Sequence, residues 1–236
     1  MQLDMARILQ VFIIQGIILI FFTYIAICII SRGRSKLNIT FSLFYICIVV
    51  AAVVNMIYAL ILDESIVLIL NFIVNFFVAF GLIFLLSFNY QILKSKFEFT
   101  IKKQMALILV YAILLAFMAA FLPFGGVIIN ESTGWKPVWS LIFFLYVIIV
   151  VSIVAMIPTI YTSLKIYSGF ESKDIRKRWI LYFVGMCGFF SYMYGAFYIN
   201  YLNDPSIRLI FSIYGITVFL WAYLVYYGVG KQLSSE

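Results

Sequence analysis

Residues 8–31 read ILQVFIIQGIILIFFTYIAICIIS, twenty-four residues without Asp, Glu, Lys or Arg, bracketed by Arg7 and Arg32. The hydrocarbon layer of a bilayer is roughly 30 Å thick and takes about 20 helical residues to cross. Further charge-free windows follow at 37–62, 65–93, 104–130, 137–164, 179–203 and 209–230, and every charged residue falls between windows or at the chain ends. Backbone in lipid must satisfy its own hydrogen bonds, so each window is expected to be a helix. The short alternating segments of a transmembrane barrel are absent.

The expectation is an all-α integral membrane protein, one domain over residues 1–236 and a bundle of seven transmembrane helices. The spans are expected at about 8–31, 37–62, 65–93, 104–124, 138–164, 179–202 and 209–230, with no soluble domain. Composition agrees: 66% of residues are hydrophobic and 11% charged, where a soluble domain is nearer half and a quarter. The first window is too long for a signal peptide, and more spans follow it.

Orientation follows from the basic residues, which gather on the cytoplasmic side. One side holds Arg32, Arg34, Lys36, Lys94, Lys96, Lys102, Lys103, Lys165, Lys173, Arg176, Lys177, Arg178 and Lys231; the other holds Arg7, Lys136 and Arg208. The amino terminus is therefore expected outside and the carboxyl terminus in the cytoplasm, in a multi-pass cell-membrane protein. The net charge of +7 then belongs to short juxtamembrane loops facing anionic lipid headgroups, and nucleic acid is not an expected partner.

The chain has no histidine, which excludes His-ligated zinc hydrolases and Ser-His-Asp or Cys-His catalysis. No carboxylate lies inside a window, so paired intramembrane aspartates and the proton relays of pumps are missing. No lysine stands in the seventh window to hold retinal. The cysteines, Cys28, Cys47 and Cys187, all fall inside windows and read as small packing residues. Neither an enzyme nor a cofactor is expected.

With charges gone, uncharged polar groups carry the information. Gln10, Gln15, Asn55, Asn71, Asn75 and Asn200 lie in the expected outer halves of their helices, and Asn89 and Gln104 at the inner boundary. An amide in lipid is costly unless bonded, so each must face another helix or a wet cavity. Asn55 and the pair Asn71 and Asn75 come to similar depth below the Asp63-Glu64 turn. They serve either as interhelical glue or as the lining of one site. Helix six carries Gly185, Gly188, Ser191 and Gly195, a small-residue stripe that lets another helix approach closely. Around it stand Tyr192, Tyr194, Tyr198 and Tyr201, suited to a pocket wall or to interfacial anchoring. Trp135 and Trp139 flank the outer entry to helix five, where the same two roles apply. Pro158 and Pro123 allow kinks. The longest outer connection, Gly125 to Pro137, is placed to cap a pocket, and Asn130-Glu-Ser132 matches a glycosylation acceptor. The set expected to contact a ligand is Asn55, Asn71, Asn75, Trp135, Trp139, Tyr194, Tyr198 and Asn200.

The run Gly134-Trp-Lys-Pro-Val-Trp-Ser-Leu-Ile-Phe-Phe-Leu-Tyr146 resembles the seven-helix amino-terminal sensing region of bacterial and archaeal histidine kinases. So do the basic loop ending Arg176-Lys-Arg-Trp-Ile-Leu-Tyr-Phe183, the glycine-and-aromatic helix six and the uncharged helix seven. The first half fits through Ser31-Arg-Gly-Arg-Ser-Lys36. The resemblance implies an input module with a stimulus outside or in the membrane and a cytoplasmic output. In that family a kinase or other effector follows helix seven, whereas this sequence stops at Glu236. Output is then expected to pass to a separate cytoplasmic partner docking at Lys102, Lys103, Arg176, Lys177 and Arg178.

The function expected is a receptor-like sensor with an outward-facing pocket for a small uncharged or lipidic ligand. Two alternatives stand beside it, a small-solute facilitator and a ligand-free scaffold. Against the facilitator, helices one to three and five to seven show no internal likeness.

Overall fold

The computed structural model of the chain describes residues 9–94 and 99–229, with side chains from residue 11 onward. Arg7, Lys96 and Lys231, used above for orientation, and the side chain of Gln10 lie outside the described residues. Within them, seven helices are long and apolar enough to cross a membrane: α1 (Val11–Ser31), α2 (Lys36–Tyr58), α3 (Glu64–Leu93), α4 (Ile101–Phe124), α5 (Leu141–Gly169), α6 (Lys173–Leu202) and α7 (Pro205–Gly228). A two-residue ladder between α4 and α5 pairs β1 (Val127–Ile128) with β2 (Val138–Trp139).

The helix ends follow local chemistry. Ser35, Asp63, Thr100 and Ser140 turn their side-chain oxygens onto the first free backbone N–H groups of α2, α3, α4 and α5. Asp204 does the same for α7, where Pro205 supplies a first residue that needs no donor. α5 and α6 run beyond the charge-free windows, to Gly169 and back to Lys173, because a helix continues its hydrogen bonds into the polar layer.

The helices form a closed ring, α1–α2–α3–α5–α6–α7, with α7 returning to α1 and α4 lying outside against α3 and α5. The two ends of the bundle are called here the cap end, where the β1–β2 hairpin sits, and the basic end, where α4 and α6 begin. In its basic-end half α3 is buried on all sides. From Gly81 to Asn89 every residue is buried, which explains why the stretch Leu82-Ile-Phe-Leu-Leu-Ser-Phe is apolar with no polar face. At Gly81 the helix breaks stride, and an added Cβ would lie 3.3 Å from Cys47 Cβ and 3.4 Å from the Phe44 carbonyl.

Aromatic rings fill the centre. Phe41 lies 4.7 Å from Phe88 between ring centroids, Phe44 lies 5.1 Å from Phe189, and Phe22 lies 5.9 Å from Phe189. Tyr45, fully buried beside them, donates to the Ala222 carbonyl of α7 at 3.0 Å. α4 is pinned in the same manner: Tyr111 donates to Ala79 O at 3.1 Å, and Tyr146 of α5 donates to Leu114 O at 2.6 Å. A carbonyl has two lone pairs, so a phenol can take the second without breaking the helix.

Candidate functional site

The cap is built from turn chemistry. The last turns of α4, Phe117–Phe124, tighten around Pro123 and end at Gly125 in the left-handed conformation, φ 72°. Residue 126 then starts the hairpin, and its carbonyl accepts from Ser140 N. At the tip, Asn130 caps a single turn, Glu131–Thr133, that closes through Gly134 (φ 60°) and Trp135 (φ 58°). A bulky residue with positive φ is strained by roughly 1–2 kcal/mol, so surrounding contacts must hold it. They do: Trp135 N donates to Asn130 O at 2.9 Å, and Trp135 O accepts from Tyr58 of α2 at 2.7 Å.

Two further ties fix the hairpin to the bundle. Arg208 of α7 donates from Nη2 to the Pro137 carbonyl at 2.8 Å. Trp139, 2% exposed, stacks on Phe197 of α6 at 5.2 Å and meets Phe143 of α5 edge-on at 4.8 Å. The hairpin therefore touches α2, α5, α6 and α7 at once. Beside it opens a polar surface groove of about 630 Å³ lined by Glu64, Asn130, Glu131, Ser132 and Trp135.

The residues singled out from sequence fall in separate places. Asn55 donates across to Gln15 of α1 at 2.7 Å. Asn71 and Asn75 are buried and bond to each other, Asn75 Nδ2 lying 3.0 Å from Asn71 Oδ1 and 2.8 Å from its carbonyl. Among the described residues no hydrogen bond joins Asn55 to either. Trp135 lines the cap groove, and Trp139 anchors the cap from below. Tyr198 is half-exposed beside Phe144, and Asn200 is half-buried two residues from it toward the cap. Tyr194 faces α5, where its hydroxyl meets that of Ser152. It also lines an apolar cleft of about 280 Å³ with Met156, Ile160, Cys187, Phe190 and Ser191.

At the basic end, Lys102 and Lys103 stand exposed in the first turn of α4. Arg176, Lys177 and Arg178 share one turn of α6. Arg176 donates to the Phe170 carbonyl and lies 5.7 Å over the Tyr167 ring; Arg178 lies 5.3 Å over Tyr227 of α7; Lys177 is exposed. These arginines thus bind α6 to its neighbours as well as facing out.

Three groups outside the expected site residues are central to the fold. Tyr58 and Arg208 hold the cap; Arg208 had entered only as a charge counted for orientation. The third is a buried cluster around Asn89, whose side chain donates to Thr159 O at 3.0 Å and Thr162 Oγ1 at 3.2 Å and accepts from Tyr182 at 2.8 Å. It joins α3, α5 and α6 near the basic end. Trp179, also fully buried, donates to the Ser163 carbonyl at 2.9 Å, and Gln91 and Gln104 both donate to Thr40. The signal available was position: Asn89 is an amide at the end of a run, Leu82 to Phe88, in which only Ser87 is polar.

No protein-family model, curated protein or solved structure matches the chain.

Proposed function

We propose that the chain is a receptor-like transmembrane sensor, its cap end outside the cell and its basic end in the cytoplasm. The observation that carries this reading is the cap. It is a strained, polar hairpin with a groove at its side, tied by Tyr58, Arg208 and Trp139 to the ends of four helices. A small uncharged or lipidic ligand that shifts Trp135 shifts α2 through Tyr58. The centre supports a sensor over a carrier, because Phe22, Phe41, Phe44, Phe88 and Phe189 occupy the axis that a solute would follow. At the other face, the cluster around Asn89 ties together α3, α5 and α6 beside the basic residues Lys102, Lys103, Arg176, Lys177 and Arg178. Those residues are the proposed docking surface for a separate cytoplasmic partner, in the manner of the seven-helix input modules that the sequence resembles.

The reading requires the cap to face outward, and labelling tests that. In a chain with Cys28, Cys47 and Cys187 replaced by serine, Ser132→Cys in intact cells is expected to react with a membrane-impermeant maleimide. Ser168→Cys is expected to react only after lysis. The reverse pattern puts the cap in the cytoplasm and ends the proposal.

A further inference from the structure

The cleft between α5 and α6 is independent of the cap and lies at a different depth. Met156 and Ile160 stand near the middle of α5, and Cys187, Phe190 and Ser191 near the middle of α6. In a bilayer this is the midplane, where hydrocarbon is the surrounding medium. The residues flanking the cleft face outward: Ile153 is 63% exposed, Ile157 55% and Val184 43%. An opening here admits molecules from the lipid.

α5 widens beside the cleft. Ile157 N–H reaches back five residues to Ser152 O, and the wide turn Ser152–Met156 runs directly into Pro158, which has no N–H to give. Wide turns of this kind cost helix stability and concentrate at functional sites.

The walls are apolar, with two hydroxyls and the Cys187 thiol. Ser191 and Tyr194 stand three apart on one face of α6, so their side chains are neighbours. Each meets a partner outside the cleft lining. Tyr214 of α7 donates to Ser191 Oγ at 3.2 Å, which leaves the Ser191 proton uncommitted. Ser152 shares one hydrogen bond with Tyr194, and with Ser152 as donor the phenol proton is also uncommitted. Ser191, which already accepts a hydrogen bond, is left as a donor without an acceptor on an apolar wall, and Tyr194 joins it when Ser152 donates. The matching group is an uncharged oxygen with lone pairs. A carboxylate or ammonium is excluded, since no ionisable partner of opposite sign lines the cleft and a lone charge at the midplane is costly.

We infer that the α5–α6 cleft binds an uncharged, carbonyl-bearing lipid from the bilayer, with Ser191 donating to its carbonyl oxygen, Tyr194 adding a second donor when Ser152 donates to it, and Met156, Ile160 and Phe190 holding its chain. The Asn89 cluster takes in Thr159, which lies on α5 between the cleft residues Met156 and Ile160. Occupancy therefore bears on the segment of α5 that the cluster holds.

The test uses the full chain in nanodiscs and a long-chain methyl ketone carrying a diazirine. Photolabelling is expected to concentrate at Met156, Ile160 and Cys187, and the untagged ketone is expected to compete about five- to ten-fold better than the alkane of equal length, the worth of one or two net hydrogen bonds. Tyr194→Phe and Ser191→Ala are each expected to reduce that preference, and Cys187→Trp to abolish labelling by filling the cleft. If Tyr194→Phe fails to fold, Ser191→Ala alone decides. Equal competition by ketone and alkane, or equal labelling of the lipid face of α4 at Met105 and Leu109, overturns the inference and leaves bulk lipid at the surface. Because the probe and the variants leave the cap untouched, that failure is distinct from failure of the sensor proposal.

Discussion

Asn89 shows how much one side chain can carry when the solvent is hydrocarbon. It is fully buried and bonds a carbonyl, a threonine and a tyrosine drawn from two other helices. Asn89→Leu keeps the volume and removes all three bonds, leaving the Tyr182 hydroxyl without an acceptor in a dry site. A buried polar group left unpaired costs about 1–3 kcal/mol. Thermal unfolding in detergent is expected to show that loss as a lowered midpoint, and an unchanged midpoint would mean that water or a rearranged partner satisfies Tyr182. The amide itself was legible in the sequence as a polar group among apolar ones. Its partners were not, because Thr162 and Tyr182 lie 73 and 93 residues away and nothing local marks them. Asn55 is the converse case. Its depth suggested a meeting with Asn71, yet the amide turned the other way, to Gln15 on α1. Depth along a helix can be read from residue counts, whereas the direction of a side chain around it depends on how the helices pack.

Among the elements, the α6–α7 pair is governed by glycine. A Cβ at Gly185 would stand 2.7 Å from Trp221 O and 2.8 Å from Val225 N, and one at Gly228 would stand 2.7 Å from Arg178 O. These are backbone collisions, which no rotamer change relieves. The stripe Gly185, Gly188, Ser191 and Gly195 is where α7 lies, with Trp221 over Gly188 and Phe211 over Gly195. Gly228→Ala is expected to destabilise by about 1–3 kcal/mol through overpacking. Gly16→Ala on α1, with nothing within 4 Å of the new methyl, is the control and is expected to leave the midpoint unchanged or raised. Equal effects of the two substitutions would show that helix propensity, and not close approach, dominates. The stripe was legible as a docking face, but its partner was not, since any helix with a matching ridge fits it. Pro158 was legible as a point of irregularity; that α5 answers with a wide turn one step earlier, from Ser152 to Met156, depends on the ring of neighbours.

For the whole molecule, seven helices could be counted from the spacing of charges alone, because the cost of charge in hydrocarbon leaves little latitude. The ring order could not, since it is set by aromatic and small residues meeting across distant segments. Nor could the displacement of α4 to the outside, although its broad lipid-facing surface, with Met105, Leu109 and Ile113 each more than half exposed, is consistent with that place. The cap was legible as a long turn-rich connection, but its three ties were not, because they end on main-chain carbonyls and a tryptophan face. Those ties are the physical basis of the sensor proposal, which requires that loosening the cap be felt at the opposite face. The most direct test is hydrogen exchange of residues 165–178 in nanodiscs, comparing the native chain with Tyr58→Phe and Arg208→Gln. Both substitutions remove a cap tie and leave the basic end unaltered. The proposal predicts that exchange at the basic ends of α5 and α6 changes by at least about five-fold, the lower end of ordinary coupling between sites. A change confined to residues 127–139, with the basic end exchanging as in the native chain, would contradict it.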